Sequence, residues 1–73
     1  PTTIITFGIP SRSFVWLKVF DVMGREVATL VNEELQPGTY ERTFDAQGLA
    51  SAVYFYRLQS GLNTKTRVLI LQR

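Results

Sequence analysis

Turn-forming residues punctuate this chain at short intervals, and that spacing leaves room for strands but for few helices. Asp21-Val22-Met23-Gly24 reads as a tight turn, with Asp favoured at its start and Gly able to take a positive φ. Pro37-Gly38 predicts a type II turn, because Pro fixes φ and Gly accepts the positive φ that follows. Ser60-Gly61 turns the chain again, and Pro10 ends the first apolar run. With 73 residues there is material for one domain at most. A chain of that size buries only about 60 % of the surface its unfolded form exposes, so its core is small.

Between these breaks the residues alternate. Ile5, Phe7 and Ile9 alternate with Thr6 and Gly8 as a short strand. Val15, Leu17 and Val19 alternate with Phe14, Trp16, Lys18 and Phe20 as a stronger one. Tyr40, Arg42 and Phe44 share one face of a strand ending at Asp45, followed by a loop from Ala46 to Ser51. Ala52 to Gln59 is rich in aromatic and β-branched residues, and Thr64 to Leu71 runs back from the Gly61 turn as the last strand. Arg25 to Leu35 supports two readings. Val27, Leu30, Val31 and Leu35 are spaced as on one face of a helix, while Glu26 to Val31 also continues a hairpin across Gly24. Five or six short strands at intervals of about 8–12 residues, with a turn signal between each, predict an all-β sandwich.

The composition narrows the chemistry. There is no histidine and no cysteine, so the commonest general base, the commonest transition-metal ligand, thiolate metal sites and disulfides are all removed. The six carboxylates show no calcium-loop spacing, and Glu33-Glu34 point different ways on any regular element. Ser11, Ser13, Ser51 and Ser60 have no basic partner at an evident spacing, and the turn glycines form no phosphate-cradling cluster. No catalytic residue, cofactor or metal is therefore expected. The net charge of +2 is spread singly, with a mild basic bias from Lys65, Arg67 and Arg73, which argues against nucleic acid as a partner. No apolar run approaches the roughly 20 residues needed to cross a bilayer as a helix. The chain starts at Pro1, without Met or signal peptide, and is expected to be a fragment of a larger protein.

Several strands are apolar on both faces, which a sandwich sheet does not require. If Val15, Leu17 and Val19 fill the core, Phe14, Trp16 and Phe20 lie outside, and Val53 and Phe55 oppose Tyr54, Tyr56 and Leu58 in the same way. Coverage by loops is one explanation. The other is a partner-binding patch of Phe14, Trp16 and Phe55, on which self-association into a homodimer is one expected use.

Three stretches resemble the C-terminal sorting domain of the type IX secretion system of Bacteroidetes and relatives, the Por secretion tail. Pro1-Thr2-Thr3-Ile4-Ile5-Thr6-Phe7-Gly8-Ile9-Pro10 is similar to its opening P-T-T-x-I-x-F-x-(L/I)-P. Leu17-Lys18-Val19-Phe20-Asp21-Val22-Met23-Gly24-Arg25-Glu26-Val27-Ala28-Thr29-Leu30 resembles L-K-V-Y-D-x-L-G-R-E-V-A-T-L. Gly48-Leu49-Ala50-Ser51-Ala52-Val53-Tyr54-Phe55-Tyr56-Arg57-Leu58 resembles G-L-A-S-G-V-Y-F-Y-R-L, and Gly38-Thr39 through Phe44-Asp45-Ala46 fits the linking G-T-x-x-x-x-(W/F)-D-A pattern.

The resemblance implies an all-β, immunoglobulin-like antiparallel β-sandwich of about six or seven short strands, with Arg25 to Val31 as one of them. It also implies a non-catalytic C-terminal signal that directs its parent protein through the outer-membrane translocon. A sortase-like peptidase then attaches the parent to the cell surface, so the implied location is secreted or cell-surface. The residues it marks for the signal are Gly24, Arg25, Thr66, Arg67 and Arg73. Some positions depart from the pattern. Ala52 replaces a glycine and is tolerable only at negative φ, and Trp16 stands at a commonly polar outer position. Arg42 replaces an apolar inward residue and should snorkel from an edge strand or pair with a carboxylate. Val68-Leu69 replaces Lys-Met in the last strand. The alternatives are a passive interaction module, like the immunoglobulin-like domain of flagellar hook-capping proteins, and a carbohydrate-binding module stacking sugar on Trp16.

Overall fold

Period-two alternation governs nearly the whole chain in the computed structural model, which describes residues 2–50 and 52–71. Its six strands are β1 (Thr2–Ile9), β2 (Ser13–Phe20), β3 (Glu26–Leu35), β4 (Gly38–Asp45), β5 (Ala52–Ser60) and β6 (Asn63–Leu71). All pairings are antiparallel. One sheet has the order β3-β2-β5-β6 and the other consists of β1 and β4 alone. The two share a single apolar core, and no helix occurs among the described residues. The fold is thus an all-β antiparallel sandwich, consistent with the immunoglobulin-like arrangement.

Strand β2 is the keel. It lies between β3 and β5, and its Val15, Leu17 and Val19 have no exposed surface. Burying a side chain of this kind stabilises by about 1.5–3 kcal/mol, so this strand carries much of a small core. Tyr54 and Leu58 of β5 and Leu69 and Leu71 of β6 extend that inner face, and Ile5, Phe7, Ile9 and Phe44 close it from the two-stranded sheet. The inward positions are the apolar ones that alternation selects.

Strand β3 explains its own helical spacing. Its register with β2 slips twice, leaving Val27 and Leu30 as extra residues. Each bulge shifts the alternation by one position, so apolar residues fall three and four apart although the backbone is extended. Of the two readings of this segment, the strand that the resemblance implies is the one observed. Pro37-Gly38 also differs from expectation. Gly38 has φ +154° rather than the roughly +80° of a type II turn, and it opens β4. The pair marks the corner where the chain leaves one sheet for the other, a bend the local sequence does not distinguish from a hairpin.

The departures at Ala52 and Arg42 both fit. Ala52 opens the extended strand β5, where φ is negative. Arg42 is half-exposed on β4, an edge strand of the two-stranded sheet. Its Nη1 donates to the Glu41 carbonyl at 2.8 Å, and its guanidinium lies 5.8 Å from the Tyr40 ring centre. It snorkels, rather than pairing with an acid.

Candidate functional site

Asp21 organises the tip of the β2–β3 hairpin. The Gly24 N–H donates to the Asp21 carbonyl at 3.0 Å, and the Asp21 N–H donates to the Arg25 carbonyl at 2.9 Å. With Gly24 at φ +83°, this is a type I turn followed by a bulge glycine. The Asp21 carboxylate accepts from the N–H groups of Met23 and Arg25 at 2.9 Å each, and from Arg25 Nε at 2.8 Å. The Arg25 backbone N–H, followed by its side chain, holds the Asp21 carboxyl below its ordinary value against a smaller opposing desolvation. At the start of β3, the hydrogen bond from Thr29 Oγ1 and then Lys18 lower Glu26 in the same sense. Gly24 and Arg25 thus serve this turn, and Arg25 projects from it into solvent.

The outer face of the four-stranded sheet carries Phe14, Trp16 and Phe55, but in separate rows. The register places Trp16 beside Asn32 and Gln59, and Phe14 beside Glu34. Phe55 stands opposite Phe20 and Val68, beyond an intervening row of Lys18 and Arg57. Lys18 Nζ lies 5.0 Å from the Trp16 ring centre and Arg57 lies 5.6 Å from that of Phe20. Phe20, Phe55 and Val68 form the contiguous apolar strip, with Val53 and Ile70 in the next row. Lys18 occupies the space above the indole that a stacked sugar would need. The sequence missed this grouping because alternation assigns a face but not a cross-strand neighbour.

The remaining signal candidates lie on β6. Thr66 faces outward opposite Arg57, whose Nε donates to Thr66 Oγ1 at 3.3 Å. Arg67 faces the other sheet, opposite Tyr56. Together with Lys65, Leu58, Phe7 and Gly8 it lines a groove of about 380 Å³ between β1 and β6. Arg73 lies outside the described residues, as does Ser51 of the expected loop. The signal candidates therefore fall at two separate places, the hairpin tip and the middle of β6. Lys65 is not among the residues the resemblance marks, although its phase in the strand, four positions before buried Leu69, puts it on the inner side.

Among the described residues no three acidic side chains gather as metal ligands would. No curated protein and no solved structure matches the chain. A family model described as the secretion system C-terminal sorting domain matches residues 2–72, which is nearly the whole sequence. The chain belongs to that family, the C-terminal sorting domains of type IX secretion.

Proposed function

We propose that this domain is the C-terminal address of a larger exported protein, read by the outer-membrane translocon and followed by attachment of that protein to the cell surface. The observation that carries the reading is the family match over residues 2–72. The domain is non-catalytic in this reading, which agrees with a sequence lacking histidine and cysteine. A sortase-like peptidase acts on it after passage, and no cofactor takes part.

The test is a fusion. Residues 1–73 are placed behind a periplasm-directed reporter in a host with an intact type IX system and in the same host without its translocon. The reporter is expected at the surface in the first and in the periplasm in the second. Retention in the periplasm of the competent host would contradict the proposal. Deleting Leu71 onward is a poor substitute test, because Leu71 is a core residue and its loss mixes folding with signalling.

A further inference from the structure

Most cations of this domain are already engaged. Arg12 pairs with Glu34, Lys18 with Glu26 and Arg25 with Asp21. Arg42 donates to a main-chain carbonyl, and Arg57 bonds Thr66 while lying over Phe20. Among the described residues, Lys65 and Arg67 alone of the cations have no ion pair, hydrogen bond or ring contact. Both face inward from β6, opposite Leu58 and Tyr56, at the mouth of the groove between β1 and β6.

That groove is bounded by two unfinished sheets. Among the described residues β6 is paired with β5 alone and β1 with β4 alone, so each presents an unpaired row of main-chain donors and acceptors. The β5–β6 register runs from Ala52↔Leu71 to Ser60↔Asn63 without a slip, so the β6 edge is regular along its length. Such an edge accepts an extended segment as a further strand, with main-chain bonds giving affinity and alternate side chains giving selectivity. Residues of the added strand beside Lys65 and Arg67 would face the groove, and those between would lie on the outer side beside Thr66 and Val68.

We infer that the groove receives an extended segment of a partner protein in which acidic residues alternate with apolar ones. The carboxylates meet Lys65 and Arg67, and the intervening apolar side chains cover Val68, which is 60 % exposed. This rests on the sorting reading, to which it adds the chemistry of the partner segment.

The test is a titration of isotope-labelled 73-residue chain with a short, end-blocked peptide of alternating valine and glutamate, followed by NMR. Amide shifts are expected on β6 and on the β1 residues lining the groove. Lys65→Glu combined with Arg67→Glu should weaken binding roughly tenfold, since two attractions become repulsions at an exposed edge. Both side chains are exposed, so the fold is retained, and the dispersion of the variant's spectrum verifies this. A peptide with lysine in place of glutamate, and one N-methylated at alternate residues, should not bind. Shifts confined to the outer face around Trp16 or Phe20 would overturn the inference, as would equal binding of the variant or of the N-methylated peptide. In those cases Lys65 and Arg67 are solvated guards of the edge. The titration is independent of export: absence of peptide binding leaves the sorting reading in place, and a reporter held in the periplasm removes that reading alone.

Discussion

The four-stranded sheet ends in two strands that are treated in opposite ways. β3 is bulged at Val27 and Leu30, and its Glu33 stands on the core side opposite Val15 yet remains exposed. Bulges break an edge's regular row of donors and acceptors, and so resist further pairing. Its flanks are tied as well, by Arg12 to Glu34 at one end and by Asp21 to the hairpin turn at the other. β6 has an unbroken register and two cations without acids, and it borders a groove. One edge is finished within the chain and the other is left for something else. For a domain that belongs to a sorting family, the unfinished edge is where an address would be read.

The comparison can be broken at several levels. Leu17→Ala, at the strand that supports both edges, should cost about 3 kcal/mol, a large share of what so small a domain possesses. Urea unfolding should show the whole domain lost together, because both sheets share one core. Gly24→Ala acts only on the finished side. An added Cβ there meets no atom within 4 Å, so the cost is that of a left-handed backbone, about 1–2 kcal/mol. Amide exchange in this variant should rise in β2 and β3 before β6.

Acid sharpens the contrast further. Asp21 and Glu26 both have carboxyls held below their ordinary values, Asp21 by the turn and Glu26 by Thr29 and Lys18. A depressed folded pKa contributes stability that is present above the unfolded value near 4 and lost as pH falls through the lower folded one. The finished edge should therefore loosen below about pH 4, with Asp21→Asn flattening part of that dependence and Glu26 retaining the rest. Thermal melts of both proteins from neutral pH downward measure it. The smallest effect on stability is expected from Lys65→Glu with Arg67→Glu, within about 0.5 kcal/mol of the parent, because neither side chain has a partner to lose.

How far the residues alone specify this arrangement varies with the kind of order involved. β2 and β5 were legible, since Val15, Leu17 and Val19, and Tyr54 and Leu58, alternate cleanly into the core. β3 was ambiguous because two bulges rewrite its phase, and bulges depend on the partner strand rather than on local composition. The Pro37-Gly38 corner reads locally as a type II turn for a similar reason: which sheet a strand joins is settled by tertiary packing. At the surface, alternation puts Phe14, Trp16 and Phe55 at outward positions, and the register sets the row of Lys18 and Arg57 between Trp16 and Phe55. The groove cations were half-legible. Counting back from buried Leu71 and Leu69 puts Arg67 and Lys65 on the inner face, but only the two-stranded partner sheet leaves that face uncovered there.

The most direct measurement of the account compares surface delivery of a reporter carrying the parent domain with one carrying Lys65→Glu and Arg67→Glu, in the same type IX-competent host. With both domains folded, the parent is expected at the surface and the variant in the periplasm. Equal delivery of the two would contradict the claim that the open β6 edge is the part of the domain that is read.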